Sequence, residues 1–185
     1  MSRRRQKLPT FLTEAEANRL LAAARSPRDR CLFAVMLLAG LRVAEACALR
    51  VERVNLERGE LLVFRGKNGK DRLLPIGARL LPILRSWIGD RTEGYLFPGR
   101  KPGRPLTTRA AYNAVCDAAS RAGITRPDAQ RISPHKLRHS CATNLLATGA
   151  DITVVRDILG HSDVSVTSVY LHCSADRLRG AVDRL

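Results

Sequence analysis

Between His135 and Tyr170 the sequence gathers residue types that can hold an anion, move a proton and attack an electrophile. His135 and Arg138 are three apart, so on a helix they project from neighbouring sectors of one face. His139 follows at once, His161 comes directly after Gly160, and Tyr170 lies nine residues beyond that histidine. A guanidinium presents a rigid fork of donors, an imidazole titrates near neutrality, and a phenol ionises at a pKa of about 10. A zinc pair at His135 and His139 is disfavoured, because the helical zinc-protease pattern needs glutamate after the first histidine and Lys136 stands there.

These side chains need scaffolding, and the same stretch supplies its signals. Ser133 followed by Pro134 reads as a helix cap with proline at the first helical position, and Gly149 stops that helix after about Thr148. Leu137, Cys141 and Leu145 recur every four residues and form the stripe expected to bury. A second helix over 152–159 is expected to bury Val154, Val155, Ile158 and Leu159, and it ends at Gly160. A third begins near Asp163 and carries Tyr170 on or just beyond its last turn.

The succession HKLRH, LGH and tyrosine resembles the C-terminal half of the tyrosine recombinase (phage integrase) family. Two earlier segments extend the likeness. Arg42 in AGLRVAEACAL is similar to the setting of the family's first catalytic arginine, and Lys67 in RGKNGKDR to that of its hairpin lysine. The resemblance covers about residues 8–170 and occupies every family position: Arg42, Lys67, His135, Arg138, His161 and Tyr170.

What it implies for each residue has a physical basis. A phosphodiester passing through a pentacoordinate state gathers charge on its nonbridging oxygens, and Arg42 and Arg138 would clamp them as a pair of forks. His135 and His161 would donate to the same phosphate, and His135 would help accept the tyrosine proton. Tyr170 would be the nucleophile. Its phenol is ionised at roughly one part in a thousand at pH 7, a deficit of about 4 kcal/mol that nearby cations offset. Lys67 would protonate the leaving 5′ oxygen, with Lys70 as the competing lysine three residues on. Glu45 is expected to orient the Arg42 loop, His139 to play a supporting part, and His172 none. Tyr95 and Tyr112 are the alternative nucleophiles but read as packing residues.

Composition agrees with a polyanionic partner. Across 185 residues, 32 Lys+Arg against 17 Asp+Glu leave a formal charge of +15, with a pI near 10.9. No run of about twenty apolar residues exists to span a membrane, and MSRRRQKLP lacks the apolar stretch of a signal peptide. The 5 cysteines (Cys31, Cys47, Cys116, Cys141, Cys173) include no CxxC and fall mostly on apolar stripes. They fit small core residues in a reducing, cytoplasmic setting.

Along the chain, Thr13 and Glu16 have capping-box spacing and open a helix to about Arg25. Ser26-Pro27 caps the next, whose CLFAVMLLAG run is apolar enough for a central helix that Gly40 ends. A shorter helix begins at 41–45 and reaches about Leu49. From 51 to 76 the period approaches two, with turn signals at 57–59 and 66–69, so a three-stranded antiparallel sheet is expected. Residues 78–88 read as helix, kinked or started late by Pro82; 94–105 as a DNA-facing loop; and 107–122 as a helix capped by Thr107 or Thr108.

The expected fold is therefore α+β, mainly helical with that small sheet, and the resemblance implies the tyrosine recombinase catalytic-domain fold. The expected organisation is a basic tail over 1–7, the catalytic domain over 8–173 and a helical tail over 174–185. Leu178, Val182 and Leu185 give that tail an apolar side, which family members pass to a neighbouring protomer in a tetramer on DNA. The family's usual N-terminal DNA-clamping domain is not read ahead of Leu8, so the expectation is either an excised catalytic domain or a naturally minimal recombinase. The resemblance implies site-specific recombination of double-stranded DNA through a 3′-phosphotyrosyl link, with neither metal nor ATP. A type IB topoisomerase uses the same pocket chemistry but usually lacks the LGH context. A non-catalytic DNA-binding module gives no reason for the matched positions. The DNA site, host element, direction of recombination and accessory factors are not legible here.

Overall fold

The computed structural model describes residues 11–64, 71–125 and 131–160. The frame grows from a helix that is apolar on every side. Ser26 accepts the Asp29 amide at 3.2 Å and Pro27 occupies the first turn, which starts α2 (Pro27–Leu38). Cys31 through Leu37 are all buried, so neighbours surround α2: α1 (Glu14–Ala22), α3 (Val43–Cys47), α4 (Leu81–Ile88), α5 (Thr108–Arg121) and α6 (Pro134–Ala147) all pack on it. Gly40, at φ 66°, turns the chain out of α2. A Cβ there would lie 2.7 Å from a Leu159 methyl and 3.3 Å from the Cys141 sulfur, so only glycine admits this close approach.

Other elements follow their local signals. The Thr13–Glu16 capping box is closed in both directions, at 2.8 and 3.3 Å, although α1 stops at Ala22 rather than near Arg25. Thr107 caps α5. Pro82 falls in the first turn of α4, so the helix starts late and is not kinked. Gly149 has φ 94° beyond α6. The sheet is antiparallel in the order β1 (Val54–Asn55), β2 (Glu60–Val63), β3 (Arg72–Pro75), with Leu61 opposite Val54 and Leu74.

The last described helix, α7 (Ile152–Leu159), is capped by Asp151 and ends at Gly160 in the left-handed conformation. It packs on α6 through a small cluster of Ala142, Leu146, Val155 and Leu159. Two expectations need correction. Val154 is 48% exposed, because α7 meets the domain along one narrow edge. Leu146 is buried where Leu145 is only partly so, a step of one residue around α6 that turns its stripe toward α7. Tyr95 and Tyr112 are half-buried, each beneath an arginine, as packing residues would be. Among the described residues no helix is long and apolar enough to cross a membrane.

Candidate active site

The site is built on the end of α7. A helix leaves its last carbonyls without internal partners and concentrates partial negative charge there. Here guanidinium groups take up those carbonyls. Arg72 donates Nε to Ile158 O at 3.1 Å, Arg138 donates Nη2 to Leu159 O, and Arg42 reaches Leu159 O at 3.5 Å and Gly160 O at 3.3 Å.

A second anionic element holds the arginines from the other side. Glu45, on the first turn of α3, accepts the Arg42 backbone amide at 2.8 Å and Arg42 Nη1 at 2.9 Å. It also receives both terminal nitrogens of Arg72, at 3.0 and 2.9 Å, and has Arg138 Nη1 3.9 Å away. Its side chain is only 9% exposed. Burial alone would raise its pKa, but the Arg72 hydrogen bonds and the Arg42 amide, with Arg72's charge, bring it down to about 2. Among the described residues, three guanidinium groups converge on this one carboxylate.

Arg42 and Arg138, distant in sequence, thus meet at the end of α7. Arg42 caps α3 with extended backbone (φ −67°, ψ 152°) and keeps 38% of its side chain exposed. Arg138 is buried, and its Nη1 donates to Gly40 O while Nη2 donates to Leu159 O. The Leu159 carbonyl is therefore shared by arginines from α6 and from the start of α3.

His135, one turn before Arg138 on α6, is exposed, and its ring stands edge-on to His139 with centroids 4.0 Å apart. Partial burial, then the charges of Arg138 and Lys136, lowers the His135 pKa below the usual imidazole value. That direction favours the uncharged imidazole. Among the described residues no third ligand joins this pair to hold a metal. Lys67, His161, Tyr170, the competing Lys70 and the 174–185 tail lie outside the described residues.

Arg72 is the member that reading the sequence missed. It sits in RLLPI, where alternation puts Arg72, Leu74 and Ile76 on one side of the strand; Leu74 and Ile76 are buried. An arginine in line with core residues must have an anionic partner, and that was the available signal. Nothing local could say that the partner is Glu45.

Comparison with known proteins gives this arrangement relatives. The profile of the phage integrase family matches residues 10–177. Tyrosine recombinase XerC of Halalkalibacterium halodurans is 40% identical over 94% of this chain, which spans 61% of that relative's length. The crystal structure of XerA recombinase superposes with TM-score 0.82 at 31% identity, covering 96% of this chain and 65% of that one. The post-cleavage complex of XerH site-specific recombinase bound to palindromic difH substrate gives TM-score 0.75 at 27% identity, over 95% and 53% of the two chains. Since the family profile matches nearly the whole of this chain and its fold superposes on that of XerA recombinase, the chain belongs to the phage integrase family.

Proposed function

We propose that this chain is a site-specific DNA recombinase that cuts and rejoins strands through a 3′-phosphotyrosyl intermediate on Tyr170. The observation that carries the reading is the shared Leu159 carbonyl, two residues before His161. It brings together two guanidinium groups far apart in sequence, beside a neutral-leaning histidine on the same helix face as Arg138.

The chemistry follows from that constellation. The Tyr170 oxygen attacks phosphorus, its proton passes to His135, and the bond to the 5′ oxygen breaks as Lys67 protonates the leaving alkoxide. Arg42, with the more exposed guanidinium, meets the phosphate directly. Arg138 joins by exchanging carbonyl acceptors for phosphate oxygens, and His161 donates to the same group. A 5′-hydroxyl then attacks the phosphotyrosine and restores both the phosphodiester and the phenol. The energy of the broken bond stays in the phosphotyrosine, so the reaction balances without ATP or metal.

The partner is double-stranded DNA, consistent with the charge of +15 and with the DNA-bound XerH relative. The working form is a cytoplasmic tetramer assembled on paired sites, with the 174–185 tail passed between protomers.

Nicked suicide duplexes tiled across the DNA flanking the gene test this reading, because loss of the short 5′ fragment traps the adduct. Wild-type protein is expected to form a 3′-phosphotyrosyl adduct and Tyr170→Phe none, with folding and DNA affinity nearly unchanged. Adducts at the wild-type level in the phenylalanine variant would move the nucleophile to Tyr95 or Tyr112.

A further inference from the structure

Arg72 takes no part in the chemistry above, yet each of its guanidinium nitrogens has a partner in the site. Nε is held by Ile158 O, and Nη1 and Nη2 by the two oxygens of Glu45. Its side chain is 10% exposed, against 38% for Arg42. A phosphate arriving at the surface meets Arg42 and finds Arg72 enclosed. Gly160 closes over it: a Cβ there would come within 3.1 Å of Arg72 Nη1, at a φ of +64° that already favours glycine.

We infer that Arg72 is a positioning residue, a brace that locks the Arg42–Glu45 turn and the end of α7 to strand β3. The inference rests on the recombinase reading and extends it. One guanidinium ties together the chain segments that carry, by sequence, three of the reacting groups. Glu45 lies one turn from Arg42 and also holds its amide and its Nη1. Ile158 lies three residues before His161, and Arg72 itself five residues after Lys67. With the bidentate bond in place, Glu45 presents a fixed carboxylate to Arg42, so the Arg42 fork is aimed before DNA arrives. Without it, a buried carboxylate would be left with Arg42 as its hydrogen-bonded partner and Arg138 3.9 Å away, and would draw the Arg42 fork inward, away from phosphate.

Two variants test the brace in the full chain: Arg72→Lys, which keeps the charge but loses the fork, and Arg72→Gln, which keeps only a hydrogen-bonding head. Circular dichroism checks that each is folded. In single turnover on the nicked duplexes, adduct formation should fall about 30-fold while DNA affinity changes by less than about twofold. Because Arg72 acts through Arg42, the same substitution in an Arg42→Lys background should cost no more than about threefold. An undiminished loss in that background would overturn the inference.

Amide hydrogen exchange gives an arm independent of cleavage. The amides of Arg42 and Gly160, held by Glu45 and by Asp157 O, should exchange at least about tenfold faster in a folded Arg72 variant, while those of α2 keep their rates. Unchanged exchange at Arg42 and Gly160 would sink the brace whatever the cleavage result. Absence of any wild-type adduct would instead count against the recombinase reading, with the exchange arm still deciding the brace.

Discussion

The side of α6 that faces α2 and the side that faces α7 are held by different physics. Around α2, side chains such as Phe33, Leu32, Met36 and Leu137 are fully buried in one large apolar core. Under α7 the apolar cluster shrinks to Ala142, Leu146, Val155 and Leu159, and much of the attachment passes to arginines on carbonyls and on Glu45. Apolar packing is non-directional and tolerates no voids; charged hydrogen bonds are directional and can be exchanged for those of a ligand. The frame around α2 is thus held by packing, and the corner at α7 by hydrogen bonds; on the proposed reading a phosphate competes for the Arg42 and Arg138 donors there, while Arg72 keeps its partners.

The largest effect should come from breaking the frame. Phe33→Ala removes a fully buried ring and should cost about 4 kcal/mol in global stability, read by chemical denaturation. A loss confined to the site, with the unfolding midpoint unmoved, would erase the contrast.

Acid should loosen the corner first. The Glu45 carboxyl titrates near 2 in the folded chain, well below its usual 4.5. Its folded-state pKa is depressed, so its contribution is complete above the unfolded value and is lost as pH falls from about 4.5 toward 2. The size is on the order of 3 kcal/mol for a group this enclosed. Glu45→Gln should remove this part of the acid dependence, which denaturant melts at stepped pH would measure.

A chemical rather than structural break comes next. Arg42→Lys or Arg138→Lys keeps charge and loses the fork, and cleavage should drop about 10²-fold with salt-dependent DNA binding little altered. Equal losses in binding and cleavage would demote the pair to general phosphate contacts. The smallest effect belongs to the outer side of α7. Val154 is 48% exposed, so Val154→Ser should move stability by less than about 0.5 kcal/mol. A larger change would mean that α7 is covered by something on that side.

Local chemistry decided much of this molecule in advance. The all-apolar run of α2, the Thr13–Glu16 box, the caps Ser26 and Thr107 and the stops at Gly40, Gly149 and Gly160 each act within a few residues, so they could be read from spacing alone. Arg42, His135 and Arg138 could be singled out because their surroundings resemble a known pattern, and two of them do meet at Leu159. The partners of Arg72 could not be read in this way. It bonds Glu45 across 27 residues and Ile158 across 86, and Arg42 reaches Leu159 across 117. The exposure of Val154 belongs to the same class, since hydropathy marks a residue able to be buried without saying which edge of α7 finds a neighbour. Periodicity specifies which face an element can bury; the partner that face meets is set only when the helices pack around α2 and leave each charge the nearest group able to satisfy it.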